Sequence, residues 1–379
     1  MTRTLEILDR LVGFPTVSRD SNLDLIEYVQ GLLEAAGFDV TRISGASGIK
    51  AGLYARIGPK IDGGLCLSAH TDVVPVDGQD WTRPPFSLTD EGSRVFGRGT
   101  TDMKGFLASA LALAGRVNVN ALDAPLSFSI SYDEEIGCVG MQEMMPQLMP
   151  LLGKPRLVVV GEPTSMQVAI GHKGKTALDV ICHGQAGHSA LAPQFTNAIY
   201  VAADFVQGVR ALQEQLALGP SDADYSVPYS TVHVGRISGG QALNIVPADA
   251  KIEMEFRHLS DTPASVIVEK LEAIAKRVDA LHKSATPITL EQVNAYPGLN
   301  TDPHDPAVDW VRSASGGNPL TKVPFGTEAG FFSELGLSTV VIGPGDMATD
   351  GHKPDEGLCK SELAKCDTML DNLVSSIVS

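Results

Sequence analysis

The chain has 379 residues, 43% of them hydrophobic, with 45 Asp and Glu against 29 Lys and Arg for a formal net charge of −16. That length suits two domains better than a single core, and the charge argues against nucleic acid or an anionic membrane as partner. No stretch approaches the roughly 18 apolar residues needed to cross a bilayer.

The first residues, Met-Thr-Arg-Thr-Leu-Glu, have no apolar signal core, so the expected location is the cytoplasm. Cys66, Cys138, Cys182, Cys359 and Cys366 are odd in number, widely spaced and form no Cys-x-x-Cys, which fits a reducing compartment better than a disulfide framework.

In chain order, amphipathic patterns predict helices over 3–14 and 22–37, the second closed by Gly37. Apolar runs follow at 50–57 and 64–69, the second nearly continuous, as in a strand buried on both faces. The alanine- and leucine-rich segment 104–117 predicts a helix. A strand at 126–132, a helix at 139–149 and a buried strand at 157–160 come next. Strands alternating with helices indicate an α/β sheet layered by helices.

The rhythm changes near residue 174. Strand 176–183, helix 198–216, strands 231–237 and 250–257, helix 263–281 and strand 288–293 give the order β-α-β-β-α-β, a ferredoxin-like unit. The earlier pattern then resumes with a helix near 305–314, a helix after Gly326, strand 338–342 and a last helix from 360. The expected fold is an α/β main domain of residues 1–173 and 294–379, with 174–293 inserted as a second domain.

Five clusters carry chemistry, most of them where an apolar run ends. They are Ser-Ala-His-Thr-Asp (68–72), Gly-Arg-Gly-Thr-Thr-Asp-Met-Lys-Gly (97–105), Asp-Glu-Glu (133–135), Gly-Glu-Pro-Thr (161–164) and Gly-His-Lys-Pro-Asp-Glu (351–356). Histidine and carboxylate ligands without cysteine favour zinc, cobalt or manganese.

His70 reads as a metal ligand whose other ring nitrogen donates to Asp72, or as a structural histidine beside a capping aspartate. Asp102 reads as a carboxylate spanning two cations, or as the N-cap of the following helix. Its glycine-rich turn lacks the Gly-Lys-Ser/Thr of a phosphate-binding loop. Neighbouring side chains at a strand end point to different sides. One of Glu134 and Glu135 can therefore face a metal while the other faces a reacting water, unless the pair is an ordinary acidic loop.

Glu162 ends a buried strand, where an unpaired carboxylate is costly, and His352 follows a flexible glycine-rich loop. Five ligands, His70, Asp102, Glu135, Glu162 and His352, make two four-coordinate sites if Asp102 and a water are shared. Two divalent cations are then balanced by three carboxylates and a hydroxide.

Together the clusters resemble the co-catalytic zinc aminoacylase/carboxypeptidase family, nearly end to end. Further matching segments are Trp-Thr-Arg-Pro-Pro-Phe (81–86), His-Lys-Gly (172–174), Val-Pro-Tyr-Ser-Thr (227–231) and Phe-Gly-Thr-Glu-Ala-Gly (325–330). The resemblance implies a mixed-sheet, zinc-exopeptidase-like catalytic domain and an inserted domain that dimerises and acts as a lid. It implies two zinc ions, with cobalt as substitute. One is held by His70, Asp102 and Glu162, the other by Asp102, Glu135 and His352.

It further implies Glu134 as general base, Asp72 behind His70, and a cis peptide after Asp102. Gly187-His188-Ser189 is similar to a family motif whose histidine reaches the partner subunit's active site and supports the oxyanion. Asn244 and Arg257 resemble residues that hold a substrate carboxylate. Read without the resemblance, these three are a turn histidine, a loop asparagine and a solvated arginine.

Within the family the chain looks most like the members that deacetylate N²-acetyl-L-ornithine in arginine biosynthesis. The alternatives are another N-acyl amino acid, succinyl-diaminopimelate or a small peptide as substrate, and a catalytically silent dimeric binding module.

Overall fold

The computed structural model describes residues 2–378. They form two compact units. The first contains the chain up to Gly171, Leu299–Val323 and the chain from Thr327 onward; the second is His172–Gly298 with Pro324–Gly326.

The first unit is built on a mixed sheet. Its described strands run in the order Asp39–Ser44, Ala51–Ile57, Leu126–Ser131, Leu65–His70, Leu157–Val160, Thr339–Val341, Val168–Ala169 and Leu320–Thr321. The four from Leu126–Ser131 to Thr339–Val341 are parallel to one another. Leu65–His70 and Leu157–Val160 are buried at every residue, which is why they read as unbroken apolar runs: a parallel sheet is covered on both faces.

Gly105–Ala114 is buried along its whole length and packs against both Arg3–Val12 and Lys360–Ser375. A helix enclosed on all sides has no need of a polar face, hence its run of Ala and Leu. No helix of the described residues is long and apolar enough to cross a membrane.

Two parts of this unit escape the expected pattern. The edge strand Asp39–Ser44 is mostly exposed and polar, so no apolar run marks it. Thr89–Glu91, Arg94–Phe96 and Gly357–Cys359 form a separate small sheet, each too short to show a period. The α-helix expected over 104–117 is confined to Gly105–Ala114. It is preceded by a wider turn, Thr100–Lys104, in which the Asp102–Met103 peptide is cis.

The second unit carries an antiparallel sheet in the order Thr231–Gly239, Asp249–His258, Gly174–His183, Thr289–Tyr296. Helices Ala198–Ala217 and Ala264–His282 supply the apolar side chains that cover it, among them Phe205, Ile267 and Leu271. Every second residue of Gly174–His183 is buried, as a one-face-covered strand requires. The chain order and the strand order are those of a ferredoxin-like unit.

Candidate metal centre

Three neighbouring parallel strands end at the same level. His70 is the last residue of its strand and pairs with Ser131, the last of the next; Ser68 pairs with Val160 on the other side. His70, the Asp133-Glu134-Glu135 turn and Glu162 thus emerge together at the carboxyl ends of the strands, where open α/β sheets place their ligands. Asp102 arrives on the turn before Gly105–Ala114. His352 arrives on a loop with left-handed backbone, φ 61°.

These side chains form two triads, His70–Asp102–Glu162 and Asp102–Glu135–His352, and the ligand atoms of each lie within 4.8 Å of one another. Asp102 belongs to both through different oxygens. Its Oδ1 is 3.1 Å from His70 Nε2, and its Oδ2 is 3.2 Å from His352 Nε2. Glu162 Oε1 stands 3.6 Å from His70 Nε2, and Glu135 Oε2 2.9 Å from His352 Nε2.

Each triad also leaves one buried oxygen, Glu162 Oε1 or Glu135 Oε1, without a hydrogen bond. A buried carboxylate oxygen without a partner is costly. A divalent cation in each triad would satisfy it, so the residues fit a metal pair.

The electrostatics agree. Burial and the charge of Asp102 push the Glu135 carboxyl up to about 7, and the same causes hold Glu162 well above the carboxylate range. Burial also raises Glu134 well above that range, with Glu135, Asp102 and Glu328 adding to it against the pull of His70. Hydrogen bonds to Asp102 and Glu135 raise His352 to about 10. Burial opposes charge on His70, yet Asp102, Asp72 and Glu162 keep its pKa well above the ordinary value. Asp102 is pulled down, against its burial, by His352 and His70.

The signs of these shifts fix how the metal-free protein responds to pH. Glu134, Glu135, Glu162 and Glu328 keep their protons in the fold above the ordinary 4.5, to about 7 for Glu135 and Glu328. The folded chain therefore binds more protons than the unfolded chain across that window, and stability falls as pH rises through it. His172, lowered to about 4 by burial, acts the other way up to its ordinary 6.5, against these four carboxyls and also Glu356 and Asp133, which burial raises too. After chelation the melting temperature is expected to be lower near pH 7 than near pH 5. Added divalent cation should reverse the trend, because it displaces those protons. A metal-free melting temperature that climbs over the same interval would contradict this.

Asp72 is fully buried, and its carboxylate faces more than His70. His70 Nδ1 lies 3.0 Å from the Asp72 main-chain carbonyl, and the nearer carboxylate oxygen is at 3.5 Å. The carboxylate also accepts from Ser18 Oγ at 2.7 Å and from the N–H groups of Glu134 and Glu135 at 3.1 and 3.3 Å. Asp72 thereby fixes the turn that carries both glutamates. The Cys138 thiol donates to Glu134 Oε1 at 3.4 Å. Lys50 pairs with Asp133, which belongs to neither triad.

Gly161, just before Glu162, leaves room for the Phe106 ring. A Cβ there would lie 1.9 Å from a ring carbon. Gly161→Ala must shift either the ring or the Glu162 turn, at an expected cost of about 1–3 kcal/mol. The denaturation midpoint measures it, and an unchanged midpoint would refute the packing argument.

His188, Asn244 and Arg257 lie in the second unit. His188 pairs with Ile245 in a short ladder and accepts the Ala190 N–H on its ring, while the Asn244 carbonyl accepts the Ser189 N–H. These two are therefore neighbours, and both are exposed. Arg257 sits elsewhere on the sheet, its guanidinium donating to Glu255 at 3.0 Å and to the Tyr296 hydroxyl at 2.7 Å.

Sequence reasoning gave Glu356 no role and left Glu328, within the matching segment 325–330, out of the candidate site. Glu356 is buried and receives three main-chain N–H groups of the Asp102 turn. Glu328 is buried among the acids, raised to about 7 by that burial, with Oε1 unpaired. Glu356 lies inside a noted cluster, and its place in a His-Lys-Pro-Asp-Glu run was the available signal.

The profile of peptidase family M20/M25/M40 matches residues 66–376. The chain is 34% identical over 373 residues to an acetylornithine deacetylase of Myxococcus xanthus, a match covering 97% of this chain and 96% of that protein. It is 32% identical over 365 residues to an acetylornithine deacetylase of Shigella sonnei (strain Ss046), covering 93% and 92%. In fold it is similar to an M20 family metallo-carboxypeptidase from Sulfolobus solfataricus, with a TM-score of 0.80, 20% identity and 99% of each chain covered.

Proposed function

The chain belongs to peptidase family M20/M25/M40 and is an amide hydrolase of that family, and we propose that its substrate is N²-acetyl-L-ornithine, cleaved to ornithine and acetate. The observation that carries the reaction is the pair of triads sharing Asp102, with Glu134 on the same turn as Glu135. The two acetylornithine deacetylases at 34% and 32% identity support the substrate.

His70, Asp102 and Glu162 would hold one divalent cation, and Asp102, Glu135 and His352 a second; zinc or cobalt suits these donors. Bound cations of this kind polarise an amide carbonyl and lower the pKa of water towards neutrality. Glu134 takes the proton of the attacking water and returns it to the leaving nitrogen. Its main chain is tied to Asp72, and its Oε1 to the Cys138 thiol, so the carboxylate meets the water from a fixed direction.

In the second unit we assign His188 to the oxyanion, Asn244 and Arg257 to the substrate carboxylate, and the unit itself to pairing with a second copy. The exposure of His188 and Asn244 side by side supports the first assignments. The unpaired edge of Thr231–Gly239, exposed over most of its length, supports the last. Cytoplasmic arginine biosynthesis is the setting this substrate implies.

The test is acetate or amine release by zinc- or cobalt-loaded protein. N²-acetyl-L-ornithine, N-acetyl-methionine, N-succinyl-diaminopimelate and a dipeptide run in parallel, each with a chelated control. Chelator-sensitive preference for acetylornithine is the expected result. Preference for another member would replace the substrate and keep the site. No turnover on any, with two metals bound, would point to a silent binding module.

A further inference from the structure

Glu356 lies outside both triads, yet more of the Asp102 turn rests on it than on any ligand. Its Oε1 accepts the N–H groups of Thr101 at 2.8 Å and Asp102 at 3.1 Å. Its Oε2 accepts the N–H of Gly99 at 2.9 Å and Arg98 Nη1 at 2.7 Å. Its main-chain carbonyl accepts the N–H of Gly97 at 2.9 Å. The side chains of Glu356 and Arg98 are each 1% exposed, so these are charge-assisted bonds shielded from water, the stronger kind. One carboxylate thus determines where the main chain of Asp102 stands.

The same carboxylate reaches His352 by a second route. Arg98 Nη1 also donates to the Lys353 carbonyl at 3.2 Å, and Arg98 Nη2 donates to Gln79 Oε1. Gln79 Nε2 in turn donates to the His352 carbonyl at 3.0 Å. Asp102, Glu356, Arg98, Gln79 and His352 therefore form one chain of hydrogen bonds.

The two triads are supported unequally. His70 ends a strand inside the sheet, and Glu162 follows another directly. His352 has only its loop, with left-handed backbone and a side chain 48% exposed. Arg94 holds Asp350, and Thr82 and Arg83 hold Asp355, on either side of His352; the network centred on Glu356 is what ties that loop to Asp102 itself.

We propose that Glu356 is a positioning residue for the metal centre: through Arg98 and Gln79 it sets His352 against Asp102, and so governs the cation held by Asp102, Glu135 and His352 more than the one held by His70, Asp102 and Glu162. The assignment rests on the two-cation site described above. Partners that orient metal ligands from behind change metal affinity by about 10–100-fold when removed.

The test is metal titration by calorimetry, together with cobalt absorption spectra, on the wild type, Glu356→Gln and Gln79→Ala. The wild type is expected to take two equivalents. Glu356→Gln is expected to weaken one equivalent by about 10–100-fold and the other by less than about threefold, with a changed cobalt spectrum for the weakened site. Turnover should fall with the weakened equivalent and recover when metal is supplied in excess, which a general loss of structure would not allow. Gln79→Ala touches only the His352 end of the network. It is expected to weaken the same equivalent, and it keeps the question open to measurement should Glu356→Gln fold poorly.

Equal weakening of both equivalents, or wild-type titrations in both variants, would overturn the proposal. A wild type that takes two equivalents in those cases leaves the dinuclear site standing. A wild type that takes fewer than two overturns that site and this assignment together.

Discussion

Glu134→Gln is expected to lower kcat by about 10²–10⁴-fold, the range general acid–base groups supply, while the protein still binds two divalent cations and folds normally. The expectation follows from where Glu134 stands. It belongs to neither triad, but Asp72 fixes its main chain together with that of Glu135. Glutamine has nearly the same shape and still accepts from the Cys138 thiol; what it lacks is a place for the proton. Burial raises the Glu134 carboxyl well above its usual range, so the neutral replacement removes a charge that the fold disfavours, and stability should hold or rise. Steady-state rates with metal analysis of the same sample decide the matter. A kcat within about tenfold of wild type would remove Glu134 from the role of proton carrier.

Asp102→Ala is expected to fail in the opposite way, losing the metals first and activity as a consequence. Asp102 is the only residue common to both triads, and each of its oxygens faces a different histidine. Removing it takes a carboxylate from both cations at once and costs His70 and His352 one partner each, leaving His70 its bond to the Asp72 carbonyl and His352 its contact with Glu135. A ligand that binds only the folded state stabilises it by about 2.7 kcal/mol at a hundredfold excess over Kd. Wild type and Glu134→Gln should therefore both melt at higher temperature when metal is added, whereas Asp102→Ala should show little shift and background turnover. A full metal-dependent shift in Asp102→Ala would show that the shared carboxylate is not what holds the pair.

The gathering of these side chains was legible because the chain advertises it. His70, Glu162 and the Asp-Glu-Glu turn each follow a short apolar run, and such runs are the buried parallel strands whose ends must meet. The β-α-β-β-α-β succession of elements between residues 174 and 296 was legible from the change in rhythm. Glu356 was not, because its bonds reach residues 254–258 positions earlier in the chain, and no local pattern encodes a contact that distant. The Asp72 carboxylate was placed behind His70, but its further bonds to Ser18 and to the Glu134 turn join residues 54 to 63 positions apart and leave no local mark. The polar strand Asp39–Ser44 and the three-residue strands carry too few apolar residues to register.

The order of the ligands along the chain also bears on assembly. The triad His70–Asp102–Glu162 is complete once residue 162 has been made, whereas Asp102–Glu135–His352 waits for a loop near the far end of the sequence. The strand that lies beside Leu157–Val160, Thr339–Val341, is equally late. Pairings so remote in sequence form slowly, since a long loop must close before any contact rewards it. A chain emerging during synthesis could thus offer a cation its first berth while the second does not yet exist, which makes completion of the pair, rather than capture of the first ion, the final step in becoming a working molecule.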